Sequence, residues 1–287
     1  TTPLFANLKV KDAIADRIKA QKGMRPDSGS EANKTVIHLY WKDEEADIFI
    51  DTSGETLAKH GYRKIPGKAP MLEALAAGVI LATKWDKRSP FVNPMCGSGT
   101  LAIEAALLAT NRSPGLYRMN YGFMHIIGYD EEIFFTERRR LKDQVIKDPN
   151  IKIIATDISE DAVDVSRRNA KTAGVDGLIT FEVCDFSDTP VPEENGTVIF
   201  NPEYGERLGV HSKLELTYKG MGDFMKQKCK GYFGYIFTGN PDLAKKIGLK
   251  ASRKIEFYNG KLDCRLLEYE MYDGTRRTDQ PVTTDNI

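Results

Sequence analysis

The stretch Phe91-Val-Asn-Pro-Met-Cys-Gly-Ser-Gly-Thr100 decides the fold of this 287-residue chain. Its first two residues, Phe91 and Val92, are typical of the end of a buried strand. The ten residues that follow the stretch, LAIEAALLAT at 101–110, are almost all good helix formers. Between the two segments, Gly97 and Gly99 allow a tight turn and let the backbone approach a ligand closely, because glycine has no Cβ. A strand, a glycine turn and a helix in this order are typical of the first unit of a nucleotide-binding α/β sheet.

The spacing of the glycines narrows the choice of ligand. It matches neither G-x-G-x-x-G nor G-x-x-x-x-G-K-[ST], so it argues against a dinucleotide site and a P-loop. The start of the helix offers unpaired N–H groups and a partial positive charge. A ligand that carries both a carboxylate and an adenosine, such as S-adenosylmethionine, fits this turn better. The alternative is a plain strand-to-helix turn that binds nothing.

The composition is that of an ordinary globular protein. Hydrophobic residues make up 41% and charged residues 29%, and the formal net charge is +0, so any contact with nucleic acid requires local basic patches. No apolar run approaches the roughly 18 residues of a membrane-spanning helix. The four cysteines form no C-x-x-C pair, so we expect reduced thiols in a cytoplasmic protein and no metal centre.

The first part of the chain predicts a small incomplete domain. Residues 4–22 are amphipathic at helical spacing, and residues 36–41 and 46–51 alternate as the strands of a predicted hairpin. So few residues make a poor core of their own. We therefore assign residues 1–65 to half of a small α+β domain and its linker.

From residue 66 onward, strands and helices alternate, which predicts a mainly parallel sheet of the α/β class. The final hairpin turns at Asn259-Gly260, a strong turn dipeptide, and adds an antiparallel edge. We assign residues 66–274 to this domain and residues 275–287 to a polar tail. Residues 111–150 form an insert far longer than the usual connection between a helix and a strand. Either the insert contacts the substrate, or its basic run is simply a solvated helix face. Beyond the opening motif, the predicted strands are 151–157, 178–183, 196–201, 232–238, 254–258 and 262–271.

Two acidic residues follow predicted strands and are candidates for binding S-adenosylmethionine, the ligand suggested by the glycine turn. Asp157 ends the second strand, where a carboxylate can accept from both hydroxyls of a ribose. Its alternative role is to stabilise the start of the following helix. Asp185 is placed to accept from the amine of an adenine, with Phe186 beside the ring, although a simple loop aspartate is nearly as good an interpretation.

The segment Asn201-Pro-Glu-Tyr204 follows the fourth strand and suggests the chemistry. The exocyclic amine of a nucleobase is a weak nucleophile, because its lone pair is delocalised into the ring. The Asn201 oxygen and the Pro202 carbonyl can accept both of its N–H bonds and favour a pyramidal nitrogen. Pro202 also stiffens the turn, and Tyr204 offers a flat face to an unstacked base. The lone pair of the pyramidal nitrogen can then point at a sulfonium methyl. Positioning of the amine supplies most of the rate of methyl transfer, and no metal is required.

Several motifs together resemble one family. NPMCGSGTLAIEAALLAT, NPEYGERLG, FTGNPDLAKKIGL and FYNGKLDCRLL are similar to the THUMP-containing bacterial 23S ribosomal RNA guanine-N2 methyltransferases over most of residues 66–272. The segments from LFANLKVKDAIADRI to DTSGETLAKHGYRK resemble the C-terminal part of a THUMP domain, which implies that its front part precedes residue 1.

The resemblance implies a Rossmann-like methyltransferase fold, with a mostly parallel seven-stranded sheet and an antiparallel edge strand. It implies S-adenosylmethionine as cofactor, 23S ribosomal RNA or a ribosomal precursor as partner, and a role for Asn201, Pro202 and Tyr204 in holding the target base. The predicted donor site comprises Asn93, Pro94, Cys96, Gly97, Ser98, Gly99, Thr100, Asp157, Ile158, Asp185, Phe186 and Asn201.

Two residues depart from the family pattern. Asn93 stands where the family has Asp, and Glu203 stands where it has Pro. We still expect activity, because the two acceptors and the aromatic ring are retained. The alternatives are an adenine-N6 methyltransferase acting on DNA or RNA, and an RNA-binding module without catalysis. No residue pattern identifies the target nucleotide or the oligomeric state.

Overall fold

The computed structural model of the protein describes residues 2–65, 71–203 and 211–272. The helices are α1 (Pro3–Lys22), α2 (Glu73–Leu81), α3 (Thr100–Ala109), α4 (Glu131–Asp143), α5 (Glu160–Ala173), α6 (His211–Lys228) and α7 (Pro241–Ala244). The strands are β1 (Val36–Lys42), β2 (Glu45–Asp51), β3 (Phe91–Pro94), β4 (Ile153–Asp157), β5 (Ile179–Val183), β6 (Thr197–Phe200), β7 (Phe233–Thr238), β8 (Arg253–Asn259) and β9 (Leu262–Glu270).

The chain divides into two compact units. The smaller one combines Thr1–Leu57 with Arg118–Asp143, and the larger one combines Ala58–Tyr117 with Gln144–Ile287. Most of the predicted insert therefore belongs to the same unit as the N-terminal hairpin, which the sequence did not indicate.

The larger unit is built on one seven-stranded sheet with the order β5-β4-β3-β6-β7-β9-β8. Strands β3 to β7 pair in parallel, and β9 runs antiparallel to both β7 and β8. The predicted seven-stranded, mostly parallel sheet is confirmed. Its one antiparallel strand, β9, lies one place in from the edge, because β9 pairs with β7 on one side and with β8 on the other.

Helices cover both faces of this sheet. Alternate residues of a strand enter different cores: Phe91 packs with residues of α2 and α3, whereas Val92 packs with residues of α6. All four residues of β3 and all four of β6 are buried. Central parallel strands covered on both sides are expected to be mainly apolar, and the exceptions here are Asn93 in β3 and Thr197 in β6. The carboxyl ends of β3, β4 and β6 consequently meet at one edge, which is where the predicted site residues fall.

The smaller unit places the β1–β2 hairpin beside residues 120–125. The Phe123 N–H donates to the Thr52 carbonyl at 2.9 Å, and the Asn120 amide donates to the Asn33 carbonyl at 2.8 Å. Gly122 is required there, because a Cβ at this position would lie 2.3 Å from the Asp51 carbonyl oxygen. The basic run of the insert lies on α4, which has no buried residue, as expected for a solvated helix.

Candidate active site

The turn between β3 and α3 has a strained backbone. Met95, Gly97 and Gly99 all have positive φ, at 55°, 56° and 78°. Left-handed conformations in non-glycine residues are costly and are concentrated at functional sites. The turn is fixed to β4, since the Cys96 N–H donates to the Thr156 carbonyl at 2.9 Å. A backbone held in this form presents the start of α3 at the carboxyl edge of the sheet.

The two glycines of the turn have different surroundings. A Cβ on Gly97 would meet no described atom within 4 Å, so this position has room for a ligand. A Cβ on Gly99 would lie 2.9 Å from the Ser166 hydroxyl and 3.3 Å from its Cα, on α5. Gly99 is therefore needed for the packing of the turn on α5, whereas Gly97 faces open space.

We expect Gly99→Ala to lower the free energy of unfolding by about 2–3 kcal/mol, because it combines a positive φ with a collision against α5. Gly97→Ala is the matched control, with a similar φ and free space, and should cost about 1 kcal/mol. Urea denaturation of both variants measures the difference. Equal stability of the two variants would contradict the packing role of Gly99.

Asp157 lies at the end of β4 and connects two loops. One carboxylate oxygen accepts from the Gly97 N–H at 2.9 Å, and the other accepts from the Ser159 N–H at 3.0 Å. Each oxygen retains a further lone pair. The next residue, Ile158, is an apolar side chain that is 71% exposed. The carboxyl end of β4 thus offers an oriented acceptor beside an uncovered hydrophobic surface.

Two buried amide oxygens lie at the carboxyl ends of β3 and β6. Asn93 is fully buried, and its amide donates to the Ile199 carbonyl of β6 at 3.0 Å. The side-chain oxygens of Asn93 and Asn201 are both buried, and neither accepts a hydrogen bond from a described residue. Leaving a buried acceptor unpaired costs about 1–3 kcal/mol. A bound polar ligand could supply the hydrogen-bond donor that each of these two oxygens lacks.

The remaining residues of the turn are buried, and Cys96 and Ser98 contact α5. Burial raises the pKa of the Cys96 thiol to about 12, and Ser166 lies 3.7 Å from its sulfur. Cys96 is therefore an uncharged core residue and not a nucleophile. Ser98 and Thr100 are buried and their hydroxyls lie 3.3 Å apart, while Pro94 is buried within β3.

The sequence interpretation missed a set of polar residues that hold this turn. Asn169 of α5 bonds the backbone N–H and carbonyl of Ile65, at 3.3 and 3.1 Å, and donates to the Ser98 carbonyl at 3.3 Å. Arg63 donates to Thr100 at 3.3 Å and pairs with Glu73 at 2.8 Å. The available signal was an asparagine on the apolar stripe of α5.

A buried carboxylate on α3 holds the segment before α2, which contains His60 and Tyr62. Glu104 of α3 accepts from Tyr62 at 2.8 Å and lies 2.7 Å from the His60 ring nitrogen. Burial raises the pKa of the Glu104 carboxyl, and the bonds with His60 and Tyr62 oppose that rise. The segment before α2 is thus anchored to the helix that starts at the turn.

The two other predicted contacts have structural partners. Asp185 accepts from the Ser187 N–H at 2.9 Å and so caps a short turn. Phe186 packs edge-on against Phe200, with ring centroids 6.2 Å apart. Both residues lie after β5, on the side of the sheet edge next to β4.

The segment after β6 is described only in part. Pro202 is buried and Glu203 is exposed, so the extra charge of Glu203 points toward solvent. Tyr204 lies outside the described residues. Among the residues that are described, no group of three or more His, Cys, Asp or Glu side chains is arranged to bind a metal ion. Within the same residues, no helix combines the length and apolarity needed to cross a membrane.

Comparison with known proteins gives a consistent result. Residues 60–268 match the family model for UPF0020, the RMKL-like methyltransferase domain. A ribosomal RNA large subunit methyltransferase K/L of Syntrophotalea carbinolica is 36% identical over 277 residues, which cover 93% of this chain and 39% of that protein. This chain therefore spans about two fifths of the length of that relative.

Solved structures agree with this assignment. SMU.472, a candidate methyltransferase crystallised with SAH, is 31% identical, with a TM-score of 0.81 over 92% of this chain and 70% of that one. A Listeria monocytogenes protein described as a predicted N6-adenine-specific DNA methylase is 31% identical, with a TM-score of 0.80 over 91% of this chain and 67% of that one.

Proposed function

Because this chain belongs to the UPF0020 family of RMKL-like methyltransferase domains, we propose that it transfers a methyl group from S-adenosylmethionine to the N2 amine of a guanine in 23S ribosomal RNA. The relatives named as large subunit ribosomal RNA methyltransferases support the substrate class. The choice of guanine and its N2 position rests on the resemblance of the motifs around Asn201 and β8–β9 to the ribosomal RNA enzymes.

The observation that carries the proposal is the unpaired oxygen of Asn201. It is buried, and it follows the buried strand β6 at the carboxyl edge of the sheet. An acceptor that no described residue satisfies is poised for an N–H donor from outside the chain. An exocyclic base amine has two N–H bonds, and the adjacent Pro202 carbonyl is the second acceptor that we assign to it.

The residues at the neighbouring strand ends fit S-adenosylmethionine. The free oxygen of Asn93 suits the ammonium group of the donor, and the open side of Gly97 suits close approach of its methionine part. Asp157 suits the ribose hydroxyls, and the exposed Ile158 suits a face of the adenine. When bound, the donor supplies an electrophilic methyl group on a sulfonium.

The chain's own residues then act by positioning. Asn201 and Pro202 accept the two N–H bonds of the amine and hold its lone pair toward the methyl. Forming the new N–C bond breaks the S–C bond, and the nitrogen afterwards gives up one proton to water. We assign Tyr204 to stacking on the target base, as bases taken out of a helix are commonly held by aromatic rings. No covalent intermediate with the enzyme is needed.

A second candidate is methylation of the N6 amine of adenine. The observation in its favour is the Listeria protein described as a predicted N6-adenine-specific DNA methylase. An asparagine and a proline carbonyl serve either amine equally well. We favour guanine because the motifs around Asn201 and β8–β9 resemble the ribosomal RNA enzymes.

The test is transfer of labelled methyl to 23S ribosomal RNA from cells that lack the gene, with genomic DNA as the parallel substrate. Nucleoside analysis should yield N2-methylguanosine from the RNA and no methylated adenine from either. N6-methyladenine as the only product would establish the second candidate instead. No product from RNA, ribosomal precursor or DNA would favour an inactive RNA-binding module.

We also propose that the smaller unit is part of a THUMP domain. Its β1–β2 hairpin leaves Trp41, Ile48 and Ile50, which share one face, more than half exposed, at 52–57%. Exposed apolar patches of this kind mark surfaces that another protein segment or a partner covers.

A role in ribosomal RNA modification would place the protein in the cytoplasm.

A further inference from the structure

A cavity lies on the larger unit, outside the residues assigned to the donor and the target base. It has a volume of about 540 Å³ and extends from the end of β7 along one face of β9, beneath the segment that contains α7. This volume falls within the range of roughly 300–1,000 Å³ that is usual for sites binding small organic groups.

The rim of this cavity is basic. Four cations line it, Lys245, Lys250, Lys254 and Arg265, against one carboxylate, Asp263. Two of the cations are already paired, Lys245 with Asp242 at 2.8 Å and Arg265 with Asp263 and Glu256.

The other two cations, Lys250 and Lys254, are exposed, and neither forms an ion pair with a described residue. Two uncompensated lysines beside a cavity are suited to a phosphate group.

The floor of the cavity is apolar but has one free polar atom. Leu267 and Tyr269 of β9 are 4% and 3% exposed and line it together with Leu249 and Ala251. The Tyr269 hydroxyl forms no hydrogen bond with any residue that the structure describes. An apolar floor with a single hydroxyl suits a nucleobase, which buries its ring and keeps an edge for hydrogen bonding.

The register of the sheet puts the Thr238 end of this cavity near Asn201, and Leu267 and Tyr269 lie further along, level with Ile236 and Gly234 of β7. Phe200 pairs with Ile236 between the parallel strands β6 and β7, so Asn201 is level with Phe237. The cavity begins at the next residue, Thr238. Neighbouring strands lie about 4.8 Å apart. A strand of RNA with one base at Asn201 therefore has a neighbouring nucleotide in reach of the cavity.

We propose that this cavity binds a nucleotide of the substrate RNA adjacent to the methylated base, with its phosphate on Lys250 and Lys254 and its base over Leu267 and Tyr269. The proposal rests on the RNA substrate proposed above. The same chemistry would suit a free nucleotide, and the experiment separates the two sources.

The experiment compares two double variants of the full 287-residue chain. Lys250→Ala with Lys254→Ala removes the free cations of the cavity. Lys87→Ala with Lys147→Ala is the matched control. Both lysines are exposed and precede β3 and β4, so they lie near the amino ends of the parallel strands, away from Asn201. Fluorescence anisotropy with a labelled single-stranded RNA oligonucleotide measures the Kd at several salt concentrations, and AMP is tested as a competitor.

We expect the cavity variant to bind the oligonucleotide about tenfold more weakly. Its slope of log K against log salt should fall by about 0.7, corresponding to one phosphate that is no longer neutralised. The control should lose little affinity, and both variants should keep the wild-type Kd for S-adenosylhomocysteine. Tyr269→Phe, which removes only the hydroxyl, should weaken RNA binding while the melting temperature stays unchanged.

An unchanged Kd and slope in the cavity variant would overturn the proposal, as would equal losses in both double variants. AMP binding that depends on Lys250 and Lys254, without any effect of these lysines on RNA affinity, would identify a free nucleotide as the ligand. Because anisotropy measures binding without methyl transfer, failure here is distinct from failure of the proposed reaction.

Discussion

Asn201→Ala is expected to lower the rate of methyl transfer by about 10²- to 10³-fold, the usual loss when one preorganised hydrogen-bonding group is removed from a reacting centre. The variant lacks the buried oxygen that accepts from the target amine. The amine would then bind without a pyramidal nitrogen directed at the methyl. Single-turnover transfer of labelled methyl to 23S ribosomal RNA measures the loss.

This variant should keep most of its affinity for S-adenosylhomocysteine, because Asn201 is the single predicted donor residue that is changed and those at the ends of β3 and β4 are intact. It should also be at least as stable as the wild type, since the lost oxygen has no described partner. Asn150→Ala, at an exposed position before β4, is the matched control. Turnover within threefold of wild type in Asn201→Ala would refute the role assigned to this residue.

Asp157→Asn is expected to weaken S-adenosylhomocysteine binding by about 10- to 100-fold. Hydrogen bonds to a charged group contribute about 1.5–3 kcal/mol, and about 1.4 kcal/mol corresponds to a factor of ten. Both carboxylate oxygens are in use, one toward Gly97 and one toward Ser159. An amide has only one oxygen, so it loses one of these bonds as well as the charge. Isothermal titration calorimetry measures the Kd.

Asp161→Asn is the control for Asp157→Asn, since it also removes a carboxylate near the start of α5 but is exposed. The melting temperatures of both variants separate a loss of the ligand contact from a loss of the turn. A Kd for Asp157→Asn that matches wild type would remove Asp157 from the donor site, and would leave it as a residue that only ties two loops together.

The sheet was predictable because its signals are local. Glycines 97 and 99, the buried segments around them, and the dipeptide Asn259-Gly260 each specify a turn or a strand without reference to distant residues. The start of α5 is also marked by a local signal, since the Ser159 side chain caps the helix by accepting from the Ala162 N–H. Regular alternation of strands and helices then leaves few possible topologies.

The contacts between distant segments were not predictable. Nothing local to Asn169 indicates that it bonds Ile65, which is more than one hundred residues away in the sequence. The same holds for Gly122, whose close approach to Asp51 joins the insert to the N-terminal hairpin. The unpaired oxygens of Asn93 and Asn201 appear only when their surroundings are known, because burial without a partner is a property of the folded chain.

The most direct test is a crystal structure of this chain with S-adenosylhomocysteine. The account predicts that the donor lies across the ends of β3 and β4, with its ribose on Asp157 and its sulfur within roughly 7 Å of the Asn201 oxygen, the room that a methyl group and an amine in near-attack geometry require. A donor that bound elsewhere, or whose sulfur faced away from Asn201, would contradict it.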